Sequence, residues 1–341
     1  MAKNYNKKKI CIFVFLIFFS STFAQLEKVE LEELPPADEY YIDDSPLNQI
    51  LEFFDNEDLA RQKAFLEHIK KKIIKSTGGI QISENSYAQN MIHDYIARYM
   101  TNFGKQNLYR ILDNGEIYRL YIRQELKKRG MPSALEYLPV VESEYKATAK
   151  SRSGAKGLWQ FMENSMSPFL KKNDYFDERF DPWKSTDAAL SKLQDNYRMF
   201  KDWPLAIAAY NCGAGAMNRA LKKSKIKTFW ALAEHKLISE ETIHYVPKLF
   251  AITEIAEHGE EYKVEVPKAN EKIRYLDFDY ITTKSQISLE WLASELRLDF
   301  DTLKKLNSEL LHDTTPPYAS YKIRLPMGMK NSALDVINSI N

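Results

Sequence analysis

The chain has 341 residues, with 48 Lys and Arg against 47 Asp and Glu and a formal net charge of +1. No basic stripe runs along any predicted helix, which excludes the electrostatic footprint of a nucleic-acid binder. Cys11, Cys212 and six scattered histidines (His68, His93, His235, His244, His258, His312) offer no clustered ligand set, so no metal site and no cofactor is expected. The length suits two or three domains. Aromatic residues make up 13% of the chain, which fits core packing or stacking against sugar rings, and composition leaves both open.

The first residues read as a targeting segment. Lys3, Lys7, Lys8 and Lys9 form a positive stretch, and Ile10 to Phe19 is apolar but too short to span a bilayer. Thr22 and Ala24 place a cut before Gln25. Residues 1–24 are therefore expected to be a secretory signal peptide, with export to the periplasm or cell envelope. Cys11 sits at the start of the apolar run rather than its end, so no lipid anchor is expected. With Cys11 removed, Cys212 has no partner for an intrachain disulfide. Residues 25–50 are acidic and carry Pro35 and Pro36, the composition of an extended linker.

From about residue 52 the pattern is helical. Leu59, Phe65, Ile69 and Ile73 recur at near-helical spacing, and Gly78-Gly79 ends the run. Met91, Tyr95 and Tyr99 mark a second helix. A third begins near Ile117 and stops at Gly130, with Pro132 just beyond. Pro132 to Val141 fits a short helix with Glu142 at its C-terminal end, and residues 146–160, with Gly154 and Gly157, read as loop. Asp181-Pro182 is a helix start. Helical pattern returns at Ala188–Phe200, at Leu205–Tyr210, through Trp230, and from Ser239 to Glu257. After Gly259 the composition shifts. Tyr262–Val266 alternates like a strand, residues 272–282 are rich in β-formers, two short helical patterns follow, and Tyr321–Leu325 reads as a last strand. The order β-α-α-β marks a small separate module.

Glu142 follows the apolar run Leu138-Pro139-Val140-Val141. A carboxyl against an apolar wall is desolvated, which raises its pKa and keeps it protonated near neutrality, ready to act as a general acid. A glutamate at a helix end is otherwise an ordinary solvated residue, and Glu144 is the rival two positions on. Gly154 and Gly157 let backbone approach a bulky ligand. Ser151 and Gln160 bring neutral donors and acceptors. Trp159, Phe161 and Met162 suit either a groove wall or the core.

Glu142-Ser143, Ser151, the run GAKGLWQFM at 154–162, AYNCGAG at 209–215 and ETIHYVP at 241–247 together resemble the transglycosylase SLT family of lysozyme-like lytic murein transglycosylases. The arrangement of N-terminal helices, SLT core and C-terminal module most resembles the membrane-bound transglycosylase D group. The resemblance implies a mainly α fold, with an N-terminal helical region at 51–108 and a catalytic domain at 109–262. It also implies cleavage of the MurNAc-β-1,4-GlcNAc bond of peptidoglycan by a carbon–oxygen lyase that forms 1,6-anhydroMurNAc. Glu142 matches the catalytic acid. Ser151, Gln160 and Met162 match substrate-binding positions. Tyr210 and Asn211 fall on the motif facing the acid, and Glu241 and Tyr245 on the motif that closes the cleft. Glu163 stands where the family usually has proline, which bears on loop shape.

Glycoside cleavage commonly uses two carboxylates, and no convincing second partner for Glu142 is legible. In the family this chain resembles, one group serves as acid and then base, and neutral neighbours are expected around it. Residues 272–328 resemble a LysM module through Leu289–Ala293, Leu303, Leu306-Asn307 and Tyr321–Pro326, with Lys284–Ser288 replacing the usual opening. It is expected either to bind glycan or to brace the catalytic domain. A monomer acting on glycan strands, in peripheral contact with wall or envelope, is expected. A hydrolase of the same fold and a non-catalytic wall-binding protein are the alternatives.

Overall fold

The computed structural model describes residues 56–267, 278–317 and 320–339. The expected signal peptide (1–24) and acidic linker (25–50) lie outside them. The chain forms two compact units, residues 1–61 and 62–341. Of the first, only the start of helix α1 (Asn56–Lys71) is described.

Gly78-Gly79 does more than end a helix. Ser76–Thr77 (β1) and Ile80–Gln81 (β2) pair antiparallel across it, with Ser76 opposite Gln81 and Thr77 opposite Ile80. Both glycines have positive φ, 53° and 77°, the backbone a two-residue hairpin requires. A Cβ on Gly78 would stand 2.4 Å from the nitrogen of Ala134, so the hairpin also packs too closely there for any side chain.

Helix α2 (Ser86–Tyr99) starts on Asn85, whose side chain accepts from the Ala88 N–H. Helix α3 (Asn102–Asn114), capped by Thr101, has no counterpart in the sequence reading. It buries only Leu108, Ile111 and Leu112, and the Gly104 N–H in its first turn donates to the Thr101 hydroxyl. Helix α4 (Glu116–Arg129) ends at Gly130 in the left-handed region, as the Gly-then-Pro spacing predicts. A 3-10 turn at Ser133–Tyr137 then runs into α5 (Leu138–Ser143), with Glu142 in its last turn. Helix α6 (Pro182–Phe200) begins on Asp181, which accepts from the N–H groups of Trp183 and Lys184 at 3.0 Å each. Helices α7 (Trp203–Cys212), α8 (Ala214–Ser224), α9 (Phe229–Glu234) and α10 (Glu240–Glu257) follow.

The fold is mainly α, as the periodicity predicts. Helix α10 is its axis: it packs against α2, α5 and α7 and is buried at Thr242, Ile243, Tyr245–Pro247 and Leu249–Ile255. A helix apolar on nearly every side belongs inside a core. One hydrophobic cluster runs from Ile69 to Val264, so the N-terminal helices share the core of the domain that follows. Each fully buried Leu or Ile contributes roughly 2 kcal/mol. Tyr262–Val266 is a turn and extended segment rather than a strand. Tyr262 is fully buried with its hydroxyl 3.3 Å from Glu254, so the alternation reflects anchoring onto α10.

The C-terminal module has the expected β-α-α-β order: β3 (Phe278–Thr283), α11 (Leu289–Glu295), α12 (Phe300–Leu306) and β4 (Tyr321–Pro326). The strands pair antiparallel, with Phe278 opposite Pro326 and Thr283 opposite Tyr321. The module has its own core, including Ile281, Leu292, Leu303 and Ile323. A further helix, α13 (Lys330–Asn338), lies past residue 328 and packs on β3.

Separate in its core, the module is nevertheless docked. The Asp177 N–H donates to the Glu309 carbonyl (2.9 Å), the Leu311 N–H to the Tyr175 carbonyl (2.9 Å) and the Ser308 hydroxyl to the Phe180 carbonyl (2.7 Å). Arg324 pairs with Asp181 at 2.5 Å and Glu309 at 3.2 Å, all three side chains being buried. The rings of Trp183 and Phe278 meet edge to face at 4.6 Å. The joint therefore forms at the N-terminus of α6.

Candidate active site

Glu142, carried by α5, is surrounded by the loop at 150–162 and by α6, α7 and α10. Helix α5 is anchored through buried Leu138, Pro139 and Val140. The Ser143 hydroxyl donates to the Leu158 carbonyl at 2.8 Å, fastening α5 to the loop. Beyond it, Glu144 and Tyr145 adopt positive φ of 52° and 59°. The Tyr145 hydroxyl returns to the Glu136 carbonyl at 2.6 Å. Glu144 is turned toward Arg110 (3.3 Å) and Lys146 (3.1 Å). Against the burial that would raise it, these cations hold its carboxyl below the usual range. Two neighbouring carboxyls thus take opposite characters.

Burial pushes the Glu142 carboxyl up to about 7, from an ordinary value of 4.5. The Tyr245 hydroxyl donates a short hydrogen bond to Glu142 Oε1 and opposes the rise. Lys192 and Lys248 also oppose it, while the charge of Glu241 adds to it. The neutral surroundings expected from sequence are therefore incorrect. The acid is set by burial, one phenol and a balance of charges brought in from α6 and α10.

The loop is a folded scaffold. Lys156 and Phe161 exchange backbone hydrogen bonds at 3.1 Å each, and Gly157 donates to the Ala149 carbonyl at 2.8 Å. Gly157 has φ 81°, and a Cβ there would lie 1.7 Å from the Arg179 carbonyl oxygen; no other residue fits. Arg179 is buried, paired with Asp177 at 2.6 Å, and reaches the carbonyls of Gly154 (3.3 Å) and Phe161 (3.4 Å).

Trp159 and Phe161 take the core reading: both are fully buried, and the Trp159 indole donates to Thr186 Oγ1 at 2.9 Å. Met162 is 37% exposed at the loop's end. Gln160, with φ 47°, donates to the Gly157 carbonyl at 2.8 Å. Ser151 Oγ bonds Ser153 Oγ and accepts from the Ala155 N–H, each at 3.0 Å.

On the opposite side, the Tyr210 hydroxyl donates to the Trp159 carbonyl at 2.9 Å, tying α7 to the loop. Asn211 donates to Glu241 at 2.8 Å and accepts from the Thr242 hydroxyl at 2.7 Å. Tyr245 thus bonds Glu142 directly, the Asn211–Glu241 pair acts on it through the charge of Glu241, and Tyr210, Ser151 and Gln160 make their hydrogen bonds to or within the loop.

Lys192 escaped the sequence reading. It lies in a buried stripe of α6 with Ser185, Ala189 and Asn196 at helical spacing. A lysine on the core-facing side of a helix was the available signal.

Replacing Tyr245 with Phe removes the donor that favours the ionised acid. The basic limb of the pH–rate profile is expected to move to higher pH, with a loss of roughly tenfold to a hundredfold at neutrality. A limb that stays in place would mean that Tyr245 does not tune Glu142.

A helical domain thus holds one carboxyl, raised toward neutrality by burial, between a glycine-shaped loop and two helices. Residues 119–233 match the transglycosylase SLT domain, and residues 277–340 match the lytic transglycosylase MltD, LysM-like domain. The chain is 35% identical over 186 residues to the membrane-bound lytic murein transglycosylase D of Escherichia coli (strain K12), a match covering 53% of this chain and 40% of that protein. It is 37% identical over 121 residues to a protein of Alteromonas sp. (strain M-1) named for tributyltin chloride resistance, covering 33% of this chain and 55% of that one. The chain thus spans about two fifths to just over half of these relatives. A solved structure of the lytic transglycosylase Slt of Pseudomonas aeruginosa, in an inactive mutant form, aligns at 19% identity and a TM-score of 0.36, covering 64% of this chain and 33% of that one.

Proposed function

We propose that this protein is a peptidoglycan lytic transglycosylase, a carbon–oxygen lyase that cleaves the MurNAc-β-1,4-GlcNAc bond and leaves 1,6-anhydroMurNAc. The observation that carries the reading is the Glu142 carboxyl, raised to about 7 by burial inside an SLT domain. Glu142 Oε1 accepts from Tyr245, which leaves Oε2 to carry the proton.

That proton passes to the glycosidic oxygen as the bond to C1 breaks. The substrate's 2-acetamido group stabilises the cationic C1. The ionised Glu142, eased by the Tyr245 hydroxyl and the charge of Lys192, then takes the proton of the C6 hydroxyl as that oxygen closes on C1. Acid and base are one group, and no water is consumed. Of the other carboxyls near the cleft, Glu241 is engaged by Asn211 at 2.8 Å. Glu163 is exposed and paired with Lys172 at 2.5 Å. Ser151, Gln160, Met162, Tyr210 and Asn211 would line the sugar path.

The reading extends to placement. Export to the envelope follows from the N-terminal segment, and the relative in Escherichia coli is named as membrane-bound. Among the described residues no helix is long and apolar enough to cross a membrane. The docking of Ser308–Leu311 onto residues 175–180 supports a bracing role for the module.

Mass spectrometry of the soluble products released from purified sacculi tests the mechanism. Muropeptides one water lighter than their hydrolysed counterparts are expected. Reducing-end products would replace the intramolecular step with attack by water, with Glu241 as the first candidate partner. An absence of products would favour a wall-binding protein.

A further inference from the structure

The Lys192 ammonium sits against aromatic rings rather than in an ion pair among the described residues. It lies 4.7 Å from the centre of the Tyr210 ring and 5.4 Å from that of Phe161. These rings meet edge to face at 6.2 Å. Among the described residues it has no ion pair and no hydrogen-bond acceptor, and the charge it feels is that of Glu142. The residue keeps partial exposure, so its N–H donors remain reachable. Burial pulls its pKa down, and Glu142 works against that.

The mechanism requires Glu142 to be protonated before cleavage. In that state the nearest counter-charge is gone, and a half-buried ammonium with three donors stands against two aromatic faces beside the scissile bond. Charged donors of this kind bind a carboxylate more strongly than a neutral acceptor, and aromatic faces hold the cation in place.

We propose that Lys192 is a carboxylate-binding, specificity-determining residue of the cleft. It takes an anionic substituent on the sugar next to the cleaved bond and so favours acidic glycans over neutral ones. This rests on the glycan-cleaving reading above and deepens it: a glycan strand stripped of its stem peptides carries a free lactyl carboxylate, which a peptide-bearing strand holds as an uncharged amide and which chitin lacks, so the preference is for stripped strands.

The test is calorimetric binding to Glu142→Gln protein, which holds the site in its uncharged form and does not cut. Three probes are compared: neutral chitotetraose, a muramic-acid-containing tetrasaccharide with its carboxyl free, and the same sugar with that carboxyl as its methylamide. The free acid is expected to bind at least about tenfold tighter than the amide, a preference weakened by salt. Adding Lys192→Met should abolish the preference while chitotetraose binding is retained, which separates a lost charge from a lost fold. Adding Lys192→Arg should keep the preference. Equal affinity for acid and amide, or a preference that survives Lys192→Met, overturns this inference alone. Failure of all three sugars to bind overturns the glycan-cleaving reading and this inference with it.

Discussion

Glu142→Gln is expected to lower turnover by at least roughly a thousandfold while leaving glycan affinity nearly unchanged. The amide keeps the shape and can still accept from Tyr245, but it has no proton to give. A large fall in kcat without a matching rise in the dissociation constant would mark an interaction made only in the transition state. Retained turnover would remove Glu142 from the mechanism.

The same variant should also be the more stable protein, in a pH-dependent way. The folded-state pKa of about 7 lies above the ordinary 4.5. Below pH 4.5 both states of the chain hold the proton and nothing is lost. As pH climbs from 4.5 toward 7 the unfolded chain releases its proton while the folded one keeps it, so stability falls. Above pH 7 the buried carboxylate costs about 3 kcal/mol. Glu142→Gln is therefore expected to melt roughly 5 to 10 °C higher than the parent at pH 8 and near the parent value at pH 4. Equal melting temperatures at both pH values would show that the acid is not desolvated as its position implies.

The joint between module and catalytic domain carries the second large effect. Arg324→Leu leaves Asp181 and Glu309 buried without their cation, at a cost of about 3 to 5 kcal/mol. Burial pushes the Glu309 carboxyl above the usual range, Asp181 adds to this, and Arg324 opposes it. With Arg324 gone, the remaining carboxyls are eased by protonation. The melting deficit should therefore be larger at pH 8, where it reaches on the order of 10 °C, than at pH 5. Because Asp181 caps α6, which carries Lys192, and Asp177 holds both Arg179 and the Glu309 carbonyl, the loop around Gly157 should loosen as well. Thermal melts at the two pH values test this. A variant as stable as the parent would mean that the module rests on the domain without bracing it.

What was legible in the sequence was local. The Gly130 stop, the Asp181-Pro182 start, the position of Glu142 after an apolar run and the β-α-α-β order all follow from side-chain period and cap chemistry, which act within one or two turns. The two glycines marked the loop, but the close approach that Gly157 permits is to the Arg179 carbonyl and not to a ligand. Local signals misled where a packed neighbour set the conformation: Tyr262–Val266 alternates because Tyr262 is anchored on α10, and Gly78-Gly79 turns a hairpin seated against Ala134. Helix α3 went unread because its buried face is three residues wide.

Contacts between residues far apart in the chain were decided only by the tertiary structure. The hydrogen bond from Tyr245 to Glu142 joins positions 103 residues apart, and Lys192 reaches the same acid from a third helix. Glu142 could be recognised as a candidate acid from its neighbours in sequence. The pKa that makes it one depends on how much water the folded helices exclude and which charges they bring near, and both are properties of packing that residue spacing does not encode.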